Sequence, residues 1–392
     1  MTPDDYAMRA YCVQPATPEE LRSCRAEWNR LVDEMAFPTP FATWEWATTW
    51  QEHFGTGSIP WVLFVQREGC LVGILPLANT KQRGLLGFLG GSITELIGAS
   101  QVGADHLDLI VHPTHAAGCA HAINEYLRNS DVRWHELRLS LLSAHGELLS
   151  HCGRLGAGLR IDVRAVTIAP YVPITGTFDD FLKTLSSNER YKLRSRTRKL
   201  LQAPGVEYCR FGRDERAQAL ERLFALHRLR YAQKPDTSSF DRPEVEAFHR
   251  KLLSVMPWDR VMLRGLRHDS EVFSMFYGFR VARRTFYFQL GYDPAWSATS
   301  PGLVLLTQTL QETFDNDCIE YNFLQGDENF KNTWAKHSRP LFDCRVYNMG
   351  LEGALAHRAK LAREWVKALR QPKGEAPRLA TGSNPPTATQ PD

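Results

Sequence analysis

Tyr287-Phe-Gln-Leu-Gly-Tyr-Asp293 opens the stretch that decides the fold. It runs on through Ser300-Pro301-Gly302 and an apolar segment to Asn322-Phe-Leu-Gln-Gly-Asp-Glu-Asn-Phe-Lys-Asn-Thr-Trp334. From Thr285 to Tyr292 the residues alternate, with Phe286, Phe288, Leu290 and Tyr292 on one face and Thr285, Tyr287, Gln289 and Gly291 on the other. That is the period of a strand with one apolar face. Gly291 and Asp293-Pro294 predict its end. Ser300 predicts a helix cap with Pro301 in the first helical position, where the missing N–H has no intrahelical partner. Leu303, Leu306, Leu310 and Phe314 continue the helix on one face. Cys318–Asn322 reads as a second short strand, close enough behind the helix for a βαβ crossover.

Such a strand–loop–helix aims backbone N–H groups and the positive helix end at its loop, a setting that suits a pyrophosphate. Gly302 strengthens that reading, since glycine in a first turn costs stability unless something must approach closely. An ordinary βαβ unit with nothing bound has the same spacing, so both readings stand at this point.

Taken together, Gly291-Tyr292-Asp293, Ser300-Pro301-Gly302, Gly326 and Phe330-Lys331-Asn332-Thr333-Trp334 resemble the signature region of the cellulose-biosynthesis acetyltransferases (CelD/BcsL-like), a branch of the GCN5-related N-acetyltransferases, or GNAT proteins. The Fem-type aminoacyl transferases are similar in having two domains. The resemblance implies direct attack of an acceptor on a thioester, with coenzyme A as co-substrate and no metal. It implies Ser300, Pro301 and Gly302 at the pyrophosphate, and Gln289, Leu290, Gly291 and Tyr292 beside the thioester. Tyr287 or Tyr292 would return a proton to the thiolate; Asp327 or Glu328 would be the base. Lys331 matches the family's lysine after an aromatic residue, suited to a carboxylate or phosphate, and Trp334 falls with it on the substrate side. One departure stands out: Asn322 occupies the strand end where the family usually has aspartate, and asparagine is no base.

The chain has 392 residues, enough for two or three domains, and its formal net charge of +3 is too small to argue for nucleic acid or membrane. No apolar run is long enough to span a bilayer. The first residues lack the basic and apolar regions of a signal peptide, so the cytoplasm is the expected compartment. Eight cysteines show no CxxC pair; Cys12, Cys70, Cys209, Cys318 and Cys344 lie in apolar strand-like runs and read as buried thiols. No zinc spacing or Ser-His-Asp arrangement appears.

Residues 18–36 read as a helix capped by Thr17, and the tryptophan-rich Phe41–Trp50 as a helix anchoring a core. Trp61–Val65 and Leu71–Leu77 flank a turn as a hairpin does, as do Val261–Leu266 and Glu271–Val281. Asp105–Val111 reads as a strand, Ala116–Arg128 as a helix and Trp134–Leu141 as a strand. The repeated order points to two copies of one fold. The expectation is an α/β protein of tandem GNAT-like domains, mixed central sheets flanked by helices. Residues 1–172 would be a degenerate supporting copy, 173–370 the acyltransferase domain and 371–392 a disordered tail. Gly84–Gly91 reads as a loop, Asp343–Tyr347 as a closing strand and Leu351–Leu369 as a helix.

Ser186 to Leu201 is the most polar feature. Arg190, Arg194 and Arg198 fall at i, i+4 and i+8, and residues 188–199 hold six basic side chains against Glu189 alone. Like charges at that spacing repel by a few tenths of a kcal/mol each. An anionic substrate, cofactor or surface would offset this, which makes Arg190 and Arg194 substrate-binding candidates alongside Asn322 and Trp334. The acceptor would be a small molecule or saccharide. The alternatives are a Fem-like enzyme using aminoacyl-tRNA and a non-catalytic binder of an acidic polymer.

Overall fold

The computed structural model describes residues 10–56, 58–81, 92–99, 101–132, 134–232 and 237–348, together with residue 358. The expected loop over Gly84–Gly91, the helix over Leu351–Leu369 apart from residue 358, and the tail beyond residue 370 lie outside them. The strands in chain order are β1 (Tyr11–Pro15), β2 (Ser58–Arg67), β3 (Cys70–Lys81), β4 (Ser92–Leu96), β5 (Ile110–Val111), β6 (Glu136–Ser143), β7 (Arg160–Pro173), β8 (Val206–Arg210), β9 (Val261–His268), β10 (Glu271–Val281), β11 (Arg284–Tyr292), β12 (Glu320–Asn322) and β13 (His337–Tyr347). They form one mixed sheet in the order β1-β2-β3-β4-β6-β13-β7-β12-β11-β10-β9-β8, with β5 on β3.

The longer helices are α1 (Pro18–Ser23), α2 (Arg25–Glu34), α3 (Trp44–Phe54), α4 (Pro113–Asn129), α5 (Phe178–Thr184), α6 (Ser187–Leu201), α7 (Arg216–Tyr231), α8 (Pro243–Val255), α9 (Pro301–Phe314) and α10 (Asn329–Trp334). Local chemistry starts several of them. Thr17 with Glu20, Thr177 with Asp180 and Ser186 with Glu189 form capping boxes ahead of α1, α5 and α6. Glu68-Gly69 and Ala282-Arg283 turn β2 into β3 and β10 into β11, all four residues at positive φ, as the twist of a two-residue hairpin demands.

The fold is mixed α/β, and its strand order repeats. An antiparallel β1–β4 run leads to β6 parallel to β4; an antiparallel β8–β11 run leads to β12 parallel to β11. The closing strands cross over: β7 pairs with β12, and β13 pairs with both β6 and β7. Each half of the sheet is therefore completed by a strand from the other half of the chain. One apolar core joins residues of both halves, such as Trp28, Leu63, Phe279 and Phe288. A second, around α9, is built from residues 172 onward, among them Phe276, Tyr287, Leu290, Val304 and Tyr321. No helix among the described residues is long and apolar enough to cross a membrane.

Three sequence expectations need correction. Residues 18–36 form two helices, α1 and α2, that meet at Cys24. Asp105–Val111 is a strand only at β5, because the preceding carboxylates hold the chain irregular. Asp108 accepts from Leu109 N at 2.8 Å, Glu147 N at 2.8 Å and Leu148 N at 2.6 Å, and burial pushes its carboxyl up to about 7. Cys12 and Cys70 are exposed, the first on the outward face of β1 and the second beside the β2–β3 turn.

Candidate functional site

β11 and β12 pair at Arg284–Glu320, Thr285–Tyr321 and Phe286–Asn322, after which β12 ends while β11 runs on to Tyr292. The sheet opens there into a wedge between parallel strands. On the other side of β11 the register slips: Tyr277 lies opposite Gln289 and Gly278 opposite Tyr287, which leaves Phe288 as an extra residue. A bulge of this kind turns the following side chains to the opposite face.

The expected alternation is corrected accordingly. Phe286 and Phe288 face the shared core, where Phe288 meets Trp46 and His249. Tyr287 faces α9, and beyond the bulge Leu290 joins it. Gln289 and Gly291 turn instead toward α7. Gln289 Oε1 lies 3.0 Å from His227 Nε2, and a Cβ on Gly291 would stand 2.6 Å from His227 N. Gly291 is therefore inside the strand rather than at its end, and glycine is required because a helix backbone lies against it.

Tyr287, Leu290 and Tyr292 line a cleft of about 180 Å³ with Gly302, Leu303 and Leu306 of α9, Phe330 and Trp334 of α10, and Arg230 of α7. Arg230 Nη1 donates to Leu290 O at 2.7 Å, and its guanidinium stands 5.3 Å over the Tyr292 ring. Burial pushes the Tyr287 hydroxyl up to about 12, with Arg230 opposing the shift, so the phenol stays protonated at neutral pH and can donate.

The start of α9 departs from the expected cap. Pro301 does occupy the first turn, but Ser300 sits in the left-handed region at φ 57° and its hydroxyl caps nothing. The short 3₁₀ turn Pro294–Thr299 delivers the chain in that conformation, and the Ser300 hydroxyl takes a hydrogen bond from Arg196 Nη1 instead. A Cβ at Gly302 would lie 3.2 Å from Leu290 Cδ2, so the glycine also lets α9 close on β11.

The loop after β12 is held from several sides. Lys331 is buried and donates from Nζ to Gln325 O at 2.5 Å and to Glu328 at 2.8 Å. Asp105, from the first half of the chain, accepts from Gln325 N at 2.6 Å. Asp327 is exposed and accepts from Asn332 Nδ2 at 2.7 Å. Asn322 is fully buried; its Oδ1 accepts from Leu324 N at 2.8 Å and its Nδ2 donates to Glu320 Oε1 at 2.9 Å. An aspartate there would set a second carboxylate against Glu320, whose charge Arg339 already pairs at 2.5 Å.

The structure thus gathers Tyr287, Leu290, Tyr292, Gly302 and Trp334 around one cleft, with Ser300 and Pro301 at its rim and Asp327, Glu328 and Lys331 in the adjoining loop. Gln289, Gly291 and Asn322 point elsewhere. Arg190 and Arg194 line a separate groove between α6 and α9. Sequence reasoning assigned no role to Arg230 or Arg196. The clue for Arg196 was its place in a basic helix, whereas nothing local marks Arg230 as reaching Leu290. Among the described residues no three His, Cys, Asp or Glu side chains gather as a metal site would need.

Residues 187–332 match the family model described as an acetyltransferase (GNAT) domain. The chain is similar to the crystal structure of FemX, with TM-score 0.60 and 11% identity over 84% of this chain and 96% of that one. It is also similar to the C-terminal domain of a putative lysylphosphatidylglycerol synthetase from Agrobacterium fabrum, with TM-score 0.52 and 12% identity over 88% and 96%. A third likeness is to L-PGS from Bacillus licheniformis, with TM-score 0.50 and 11% identity over 90% and 98%. At such identities these structures speak for the fold alone. No curated protein matches the sequence.

Proposed function

We propose that this chain is a GNAT-type acyltransferase moving an acetyl or other acyl group from acyl-coenzyme A to an amine or hydroxyl acceptor. Its resemblance to the CelD/BcsL-like proteins favours a saccharide acceptor and a role in polysaccharide or cell-envelope biosynthesis in the cytoplasm. In this reading residues 173–370 carry the chemistry and residues 1–172 support it. One observation carries the proposal. Beyond Phe286 β11 runs on without β12, and an apolar cleft opens beside it that reaches Gly302, next to the turn where Arg196 bonds Ser300.

The residues fit a coenzyme A thioester. Leu290, Leu303 and Leu306 offer apolar walls to a pantetheine arm, and the N-terminus of α9 with Arg196 offers a place for phosphate. When bound, the thioester supplies an activated acyl group. The protonated Tyr287 hydroxyl is placed to give its proton to the departing sulfur. Arg230 holds the Leu290 carbonyl and covers Tyr292, which fixes this side of the cleft. Lys331 and Asp105 hold the C=O and the N–H of Gln325 and so orient the loop bearing Asp327 and Glu328, one of which takes the acceptor's proton. Glu328 is engaged by Lys331, which leaves Asp327 the freer of the two.

Calorimetric titration of the full chain with coenzyme A tests the reading. We expect one site per chain, weakened about tenfold or more by Gly302→Val, whose side chain would meet both Leu290 and the approaching phosphate. Equal affinity in a folded Gly302→Val protein would remove the phosphate assignment. The Fem-like alternative, transfer from an aminoacyl-tRNA, draws on the FemX-like fold and the arginine groove; it predicts no coenzyme A binding.

A further inference from the structure

We propose that the groove between α6 and α9 docks an acidic helix of a carrier protein that presents the acyl group on a phosphopantetheine arm. The inference rests on the acyltransferase reading above and names a second source of the same donor chemistry, since coenzyme A ends in the same arm.

The groove is open and about 770 Å³ in volume. One side is the arginine row of α6, Arg190, Arg194 and Arg198; α9 flanks it through Thr307 and Gln311, and α5 through Asp179 and Leu182. Half-buried Phe178 and Leu201 give it an apolar floor. Its acidic lining residue is Asp179, 2.9 Å from Arg194, in a pair whose side chains are 57% and 73% exposed. Water screens so exposed a pair and leaves it easily exchanged. Among the described residues Arg190 donates to the Leu182 carbonyl alone, at 3.5 Å, and Arg198 forms no ion pair. The groove therefore offers positive charge in excess over an apolar floor.

The spacing selects the occupant. Arginines four residues apart on a helix recur about every 6 Å along its axis, the repeat at which another helix shows carboxylates at i, i+4 and i+8. An amphipathic acidic helix would set its acids on the arginine row and its apolar stripe on Phe178 and Leu201. The floor favours a protein helix over a nucleic-acid strand, which would call for a run of exposed stacking rings where the groove lining offers two, the exposed Tyr191 and the half-buried Phe178. The chain's own residues 349–392 carry more basic than acidic side chains and do not complement the row.

Position ties the groove to the donor site. Arg196, on the same helix, bonds Ser300 at the start of α9. Thr307 lies five residues along α9 from Gly302, about 7.5 Å of helical rise. A carrier seated in the groove would hold the root of its arm within reach of the turn at Ser300.

The test uses the full chain and three probes: a fluorescently labelled bacterial acyl carrier protein loaded with acetyl-phosphopantetheine, acetyl-coenzyme A, and a labelled single-stranded RNA. We expect the carrier to bind with micromolar Kd and to lose about tenfold in affinity in the triple variant Arg190→Gln, Arg194→Gln, Arg198→Gln. Acetyl-coenzyme A should keep its affinity within about twofold, and a thermal melt checks that the variant is folded. Asp179→Asn, which frees Arg194, should tighten the carrier about twofold to threefold. Absence of carrier binding, equal carrier affinity in the folded triple variant, or an RNA affinity above the carrier's would each overturn the proposal. Failure of acetyl-coenzyme A to bind the parent chain would instead overturn the acyltransferase reading beneath it.

Discussion

Replacing Gly291 by alanine adds one methyl group where the backbone of α7 already stands. The new Cβ would lie 2.6 Å from His227 N, 2.9 Å from Leu226 C and 3.0 Å from His227 Cα, all main-chain atoms that no rotamer change can move. Ordinary contact begins at 3.4 Å, so α7 must retreat by about 0.8 Å. That retreat reaches the cleft, because α7 carries Arg230, whose Nη1 is 2.7 Å from Leu290 O. Stretched by the same amount, the bond passes the useful range of an N–H···O contact. Overpacking costs about 1–3 kcal/mol and a lost charge-assisted bond about as much, so we expect a destabilisation of about 2–6 kcal/mol. Equilibrium urea unfolding followed by tryptophan fluorescence measures it. Gly302→Ala is the control: its Cβ would meet Leu290 Cδ2 at 3.2 Å, the end of a flexible side chain, and should cost less than about 1 kcal/mol. If Gly291→Ala unfolds at the parent's urea concentration, the close packing of α7 on β11 is wrong.

Asn322→Asp sets two carboxylates against each other in a fully buried site and should cost about 2–3 kcal/mol at neutral pH, with part recovered as the pH falls and one acid protonates; unfolding at two pH values would show it. For Glu312, burial alone would raise the carboxyl, but Arg264 and Tyr208 bond it and hold it at about 2, below its value in the unfolded chain. Its contribution is therefore complete above the ordinary carboxylate range and lost as the pH drops toward 2; Glu312→Gln should flatten that acid limb while costing about 3 kcal/mol at neutral pH, and a flat acid limb in the parent would refute the sign. Tyr287→Phe should leave coenzyme A binding intact and lower turnover of acetyl-coenzyme A by about tenfold to a hundredfold, read as thiol release; unchanged turnover would free Tyr287 from its proton-donor role.

Much of the fold was legible because its signals are local. Apolar periodicity located β2, β3, β9, β10 and α9, and the i, i+4, i+8 spacing of Arg190, Arg194 and Arg198 marked α6. Other features rest on relations between distant residues. An alternating run such as 285–292 cannot show that Phe288 is extra, because the extra residue is defined by Tyr277 and Gly278 across the ladder. Pro301 announced the helix start, yet the left-handed Ser300 and its bond to Arg196 depend on how α6 lies against α9. The exchange of β7 and β13 between the halves leaves no mark on either strand's own sequence. Asn322, where the resembling proteins usually have aspartate, donates to Glu320 two residues before it, a contact the sequence does not announce.

Hydrogen–deuterium exchange of the full chain, with and without saturating acetyl-coenzyme A, tests the central claim most directly. The account predicts slower exchange in the peptides covering Phe288–Leu306, where the bulge, the Ser300 turn and the first helical turns of α9 meet, and in those covering Glu328–Trp334. Peptides from β2 and β3 should be unchanged. Protection confined to residues 58–111, or no change around Ser300 at a ligand concentration that saturates by calorimetry, would contradict it.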